Sequence, residues 1–81
     1  MAGKEQLRPW IVEALEAYGG SAHLVKICEH VWRNHEQELR ASGDLFFTWQ
    51  YDIRWVAQTL RDEGTLAKVA GSRAGIWTLD A

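Results

Sequence analysis

The chain has 81 residues, of which 47% are hydrophobic, and its nine basic and eleven acidic side chains give a formal net charge of −2. No apolar run approaches the roughly 20 residues of a membrane-spanning helix, and residues 1–8 lack the apolar stretch of a signal peptide. The single cysteine, Cys28, excludes an internal disulfide framework and, with no export signal expected, predicts a cytoplasmic protein. This length fits one domain, so we expect residues 1–6 to be flexible and residues 7–81 to fold together.

The first predicted element is a helix over residues 7–18. Pro9 fits its first turn, where a missing N–H costs little, and Gly19 and Gly20 predict its end. Apolar side chains recur at the spacing of one helix face, namely Leu7, Ile11, Ala14, Leu15 and Tyr18.

A second helix is predicted to follow a short extended segment at residues 21–23. Helix-forming residues continue to about residue 41, and residues 42–44 break the pattern. The inner face of this helix is predicted to carry Leu24, Ile27, Cys28, Val31 and His35.

The third predicted helix covers residues 49–63. Residues 45–47 look extended, Thr48 is the predicted N-cap, and Gly64 is the predicted C-terminal cap. The buried stripe of this helix is predicted to consist of Trp49, Ile53, Val56, Ala57 and Leu60.

Two short runs of alternating character, residues 65–69 and 76–79, predict a β-hairpin around a glycine-bounded tip at residues 71–75. The order of elements is then helix, short strand, helix, helix, hairpin. This order is typical of an α+β winged helix-turn-helix domain, with three helices plus a small β-hairpin wing. In such a domain the third helix is the recognition helix, and residues 71–75 form the wing.

The chain also resembles a known family over about residues 7–79. In order and spacing it is similar to the N-terminal winged-helix domain of Mrr-type restriction proteins, and more loosely to helix-turn-helix modules of chromatin regulators. The matching segments are LRPWIVEAL (7–15), GGSA (19–22), WQYDIRWVA (49–57), LRDEGTL (60–66) and GIWTL (75–79).

The resemblance implies DNA binding by a module that accompanies a nuclease domain. It implies no nuclease in this chain, because such enzymes need carboxylates and a lysine around a metal, commonly as a Glu-x-Lys pair. Leucine stands two positions before both Lys26 and Lys68. Asp52 departs from what a phosphate-facing helix would carry, since a basic or neutral residue suits phosphate better.

The outward face of the third helix is the candidate DNA-contacting surface. Arginine reads guanine bidentately and glutamine reads adenine, so these residue types suit a major groove. Ser72 and Arg73 of the wing are predicted to reach a minor groove, with Lys68 at a phosphate. The alternative is an ordinary solvated face on which acidic neighbours neutralise the arginines. The predicted contacts on the helix are Thr48, Gln50, Tyr51, Arg54, Gln58 and Arg61.

Charge divides unevenly along the chain. Residues 1–47 carry five basic and seven acidic side chains, whereas residues 48–79 carry four basic and three acidic ones. The presumed DNA-facing half is therefore marginally basic, which predicts a modest and salt-sensitive affinity.

The polar residues do not predict a catalytic or metal site. No Cys-x2-Cys spacing of a structural zinc site is present. Cys28 and His35 are expected to face inward and His30 outward, so they are not expected to converge. The serines lie in turns without a His–carboxylate arrangement. We therefore expect no enzyme activity, no cofactor and no small-molecule substrate.

The aromatic residues leave two questions open. Trp55 is expected to be partly buried core, with the edge of a pocket or partner surface as the alternative. Residues 45–47 form an apolar connection that either covers the core or supplies a surface for homodimerisation. The tryptophans predicted to be structural are Trp10, Trp32, Trp49 and Trp77.

The sequence thus predicts a non-catalytic winged-helix protein that binds double-stranded DNA. Its expected role is a regulator of transcription or an accessory to a restriction or mobile-element system, without a membrane partner. The alternative is a winged-helix module that binds another protein, which fits the acidic net charge.

Overall fold

The computed structural model describes residues 3–68 and 75–80 of the chain. Within these residues the fold is a small α+β arrangement of three helices and a two-stranded antiparallel sheet, as the coarse sequence prediction has it. A 3-10 turn, Lys4–Gln6, comes first. The elements that follow are α1 (Leu7–Ala17), β1 (Ser21–His23), α2 (Leu24–Arg40), α3 (Leu45–Glu63) and β2 (Ile76–Thr78).

The sheet joins the segment after α1 to the last described residues of the chain. Strand β1 pairs with β2, placing Ser21 opposite Thr78 and His23 opposite Ile76. The hydroxyls of Ser21 and Thr78 lie 2.9 Å apart. The β1 segment was predicted to be extended, but its pairing with β2 was not, because three residues carry too little pattern to identify a partner strand.

The base of the predicted hairpin lies within the described residues. Leu66 forms a single antiparallel bridge to Leu79, and the Ala67 N–H donates a hydrogen bond to the Thr78 carbonyl at 2.8 Å. Within residues 3–68 and 75–80, the ladder of β2 is with β1. Except for Gly75, the predicted wing tip lies outside the described residues.

One histidine caps the start of helix α2, and another lies at a kink within it. The His23 side chain caps the helix, because its Nδ1 accepts a hydrogen bond from the Val25 N–H at 3.1 Å. The backbone leaves helical geometry at His35, with φ −132° and ψ 21°. Non-helical geometry inside a helix kinks it, so the last turns of α2 run in a different direction from the first.

Helix α3 begins one turn earlier than the sequence predicts. Residues 45–47 are helical, and Thr48 lies inside the helix, so the predicted extended segment and the Thr48 N-cap are wrong. Leu45 and Trp49 are both buried and are four residues apart, which places them on one face in successive turns. The buried stripe therefore extends to Leu45, and the helix begins at that residue. Gly64, with φ 89°, ends the helix in the predicted left-handed cap.

The core lies where the three helices and β2 meet. Trp10, Trp49 and Trp77 are buried, and Trp32 is half-buried beside the core with its ring parallel to that of Trp49 at 6.2 Å. The structural role predicted for these four tryptophans is confirmed. Arg8 and Glu63 form a bidentate ion pair that joins the start of α1 to the end of α3.

Candidate nucleic-acid interface

The outward side of α3 follows from its buried stripe. Leu45, Trp49, Ile53, Val56, Ala57 and Leu60 all face the core. With 3.6 residues per turn, the intervening positions project away from α1 and α2. Most of the predicted DNA-contacting residues occupy these positions.

Three of the predicted contact residues are free to meet a ligand. Gln50, Tyr51 and Arg54 are exposed and make no hydrogen bond within residues 3–68 and 75–80. They span just over one turn of α3, and Gln50 and Arg54 also line the groove between α2 and α3. The Arg54 charge lies near Cys28: burial raises the pKa of that thiol, and Arg54 partly opposes the rise.

Three other predicted contacts are engaged within the helix or against the core. Thr48 donates a hydrogen bond to the Asp52 carboxylate at 2.8 Å, and the Gln58 amide donates one to Asp62 at 3.1 Å. The Arg61 guanidinium lies 5.6 Å from the centre of the Trp77 ring, and burial lowers its pKa. Arg61 is therefore bound to the core surface more than it is available to a phosphate.

The remaining predicted contacts lie beyond α3. Lys68 is exposed and follows the base of the predicted hairpin. Ser72 and Arg73 lie outside the described residues. The interface for which the structure gives geometry thus consists of Gln50, Tyr51 and Arg54, with Lys68 at one end of the described chain.

A ridge of exposed aromatic side chains, which the sequence analysis did not predict, runs along the same face. Phe47, Tyr51 and Trp55 are 83%, 65% and 54% exposed, and we call these three residues the aromatic ridge. The Tyr51 and Trp55 rings meet edge to face, with centroids 6.2 Å apart. The expectation that Trp55 is partly buried core is therefore wrong. The spacing of four residues is a signal that was available once α3 is known to begin at Leu45.

An apolar groove of about 590 Å³ lies between α2 and α3, beside this ridge. Trp32, Phe46 and Trp49 supply its aromatic wall, and Arg54 and Gln50 lie at its edge. Of residues 45–47, then, Leu45 is buried, Phe46 lines the groove and only Phe47 is fully presented to solvent.

A second polar cluster joins α1 to α2 on another side of the molecule. The Glu13 carboxylate lies 2.7 Å from His35 Nε2 and 3.4 Å from His30 Nε2, and Glu38 lies 3.0 Å from His35 Nδ1. The prediction that the two histidines do not converge is wrong, because the kink at His35 turns its ring towards Glu13 and stacks it on Trp10 at 4.2 Å.

This cluster perturbs the titration of its members. The hydrogen bond from His35 lowers the pKa of Glu13 in spite of partial burial. Burial opposes protonation of His35, but the hydrogen bonds with Glu38 and Glu13 together outweigh it and raise the pKa of the imidazole. Over the described ranges, no three His, Cys, Asp or Glu side chains are arranged to hold a metal ion.

The described helices include none with the length and apolar character needed to cross a bilayer. Comparison of the chain with protein-family models, curated proteins and solved structures finds no significant match.

Proposed function

We propose that the chain is a non-catalytic winged-helix domain that binds double-stranded DNA, with α3 in the major groove and the wing at the minor groove. The proposed role is that of a cytoplasmic regulator of transcription or an accessory to a restriction or mobile-element system. The order of helices and strands supports the winged-helix assignment, as does the placement of β2 between β1 and the residues around Leu66.

The observation that carries the proposal is the trio Gln50, Tyr51 and Arg54. Side chains held by hydrogen bonds or ion pairs must break them to meet a base, and these three side chains form neither within the described part of the chain, although the Tyr51 ring contacts that of Trp55 edge to face. An arginine pairs with the O6 and N7 atoms of guanine, and a glutamine pairs with the N6 and N7 atoms of adenine. One exposed helix face thus offers both kinds of base-reading group together with a phenol.

Cations near this face supply phosphate contacts in the proposal. Lys68 is exposed at the base of the predicted hairpin, and Arg73 is the proposed minor-groove contact of the wing. The basic excess of this half of the chain is small, so the proposed affinity is modest and falls steeply with added salt.

A duplex-binding titration tests the proposal. Fluorescence anisotropy of a labelled 20-base-pair duplex at low salt is expected to show binding by the wild-type chain. Arg54→Ala is expected to weaken binding by about 1–3 kcal/mol, the usual cost of losing one base-contacting arginine. Arg33→Ala is the matched control, because Arg33 is exposed on α2 and its loss changes the net charge equally. No binding by the wild type, or equal weakening by both variants, contradicts the proposal.

A second candidate function is recognition of another protein through α3. The aromatic ridge favours it, because exposed tyrosine, tryptophan and phenylalanine are enriched at protein interfaces, whereas base edges in the major groove offer mainly hydrogen-bonding groups. The acidic net charge of the chain is also compatible with a protein partner.

A further inference from the structure

The aromatic ridge of Phe47, Tyr51 and Trp55 is a feature of the described surface that DNA reading leaves unexplained. Its three side chains are exposed by half or more and all project from one helix. We propose that the ridge is a self-association surface, and that its occupant is the ridge of a second copy of this chain. The inference rests on the second of the two functions proposed above and does not require the first.

The spacing of the ridge is symmetric about its middle residue. Phe47 and Trp55 each lie four residues from Tyr51, which corresponds to about 6 Å along the helix axis. A two-fold axis that passes beside Tyr51 pairs two α3 helices in antiparallel orientation. It then places Phe47 opposite Trp55 of the second copy and the two Tyr51 side chains against each other. A surface used by both copies in this way is the isologous contact typical of closed dimers.

The area of the ridge suits a weak dimer. An aromatic side chain buries about 150–250 Å² when fully covered, so the exposed fractions of the three side chains amount to roughly 300–500 Å² in each copy. The two copies together bury at most about 1,000 Å², which is in the range of weak, transient interfaces. The dimer is therefore expected to be weak and reversible and not an obligate assembly.

The residues that flank the ridge do not oppose the pairing. Gln50 and Gln58 are neutral, and Arg54 and Asp62 carry opposite charges about two turns apart. In the antiparallel arrangement Arg54 lies near Phe47 of the second copy, where a guanidinium over an aromatic ring is favourable. Asp52 lies about 100° around the helix from Tyr51 and its carboxylate accepts a hydrogen bond from Thr48, so like charges are not forced together at the centre of the contact.

The pairing covers the face of α3 that carries Tyr51, and so it excludes a duplex from the same helix. Under the DNA proposal, a second copy and DNA are alternative occupants of α3, and high protein concentration is expected to weaken binding of a duplex.

Analytical ultracentrifugation without DNA, from about 1 to 200 μM protein, tests the proposal. The wild-type mass is expected to rise with concentration from 9.3 kDa towards twice that value. Tyr51→Glu places two carboxylates at the centre of the contact, and its mass is expected to stay at the monomer value. Val25→Glu is the matched control, because Val25 is 55% exposed and lies off the ridge. It is expected to associate as the wild type does. Circular dichroism checks that each variant is folded.

Cysteine cross-linking tests the geometry independently of charge. In a Cys28→Ala background, a mixture of Phe47→Cys and Trp55→Cys chains is expected to form mixed disulfide dimers under mild oxidation. Either variant alone is expected to cross-link at least tenfold less, because two copies of the same position lie about 12 Å apart along the helices, beyond the reach of a disulfide.

Three results overturn the inference. The first is a wild-type chain that stays monomeric throughout the concentration range. The second is equal loss of association in Tyr51→Glu and Val25→Glu, and the third is equal cross-linking in the single-variant and mixed samples. A monomer whose duplex binding is lost in Tyr51→Ala and Trp55→Ala would show that the ridge belongs to the DNA interface. Failure of the DNA proposal leaves the expected mass measurements unchanged.

Discussion

At the scale of single residues, contacts within the fold distinguish side chains with a structural role from side chains that are available to a ligand. Arg54 and Arg61 have the same chemistry and lie on the same helix, but only Arg61 stacks on Trp77. Helical periodicity predicts that both project from the core stripe. It does not predict the stacking, because Trp77 is brought beside α3 by a strand pairing between distant parts of the chain.

Trp55 shows the same limit of residue-level prediction. Its position in the sequence places it at the border between the core stripe and the outward face, and its size favours burial. Because the space beneath α3 is already filled by Trp49, Ile53 and Val56, Trp55 stays half-exposed. Side-chain size alone does not decide such border positions.

The Glu13–His35 pair predicts a pH dependence of stability. The raised pKa of His35 favours its charged form in the folded chain, so this contribution is complete below the ordinary value of 6.5 and is lost as pH rises through the raised value. The lowered pKa of Glu13 contributes above its ordinary value of 4.5 and is lost as pH falls through the lowered one. Both contributions are present together between about pH 4.5 and 6.5.

Glu13→Gln is therefore expected to lower the melting temperature most near pH 5.5 and least at pH 8 and above. Thermal unfolding followed by circular dichroism across this range measures the difference. Glu16→Gln is the control, since Glu16 is exposed on the same helix and Glu13 is the α1 carboxylate that contacts the two histidines. A difference between Glu13→Gln and the wild type that does not vary with pH would contradict the account.

At the scale of elements, the start of α3 is the clearest departure from the sequence prediction. Thr48 has the chemistry of an N-cap and precedes a strong apolar stripe, but its hydroxyl bonds to Asp52 one turn ahead. Leu45 is buried and extends the stripe backwards. Local capping preference was outweighed by burial, which contributes more free energy than one cap.

Because α3 begins at Leu45 and not after Thr48, substitutions at these two positions are expected to lower the free energy of unfolding by different amounts. Thr48→Ala is expected to destabilise the chain by less than about 0.5 kcal/mol, as for an ordinary surface position. Leu45→Ala is expected to cost about 2–4 kcal/mol, because it empties a buried site. Urea unfolding of both variants measures the free energies of unfolding. A loss of about 1 kcal/mol or more in Thr48→Ala, with little effect of Leu45→Ala, would restore Thr48 as the cap.

The pairing of β1 with β2 could not be read from local pattern. Helices α1 and α2 were predictable from local pattern, because each repeats its apolar spacing over several turns. A three-residue strand offers one or two inward positions, and its partner lies more than 50 residues away. The hairpin predicted between residues 65–69 and 76–79 was the nearest local pairing, and its base is present among the described residues.

At the scale of the whole molecule, the sequence established a small α+β domain with a tryptophan-rich core. The candidate site was predicted less completely. The polar residues Gln50 and Arg54 were found by periodicity, whereas the aromatic ridge depended on the true start of α3. The convergence of His30 and His35 on Glu13 accompanies a helix kink at His35, which no local sequence motif predicts.

The net charge of the chain also has to be considered at this scale. An acidic total of −2 disfavours nonspecific adhesion to a polyanion. Binding to DNA under the proposal must therefore come from a few well-placed contacts on α3 and the wing, and each of them should matter strongly. Identifying the residues that contact the duplex therefore tests the proposal more sharply than measuring the binding constant.

Titration of isotope-labelled chain with a short duplex at low salt, followed by amide chemical shifts, tests the central claim most directly. At protein concentrations below self-association, the account predicts that the largest shifts occur at Gln50, Tyr51 and Arg54 and extend to Lys68. The amides of the α1 face around Glu13 are expected to stay unchanged. Shifts confined to that α1 face, or no shifts at any duplex concentration, would contradict the account.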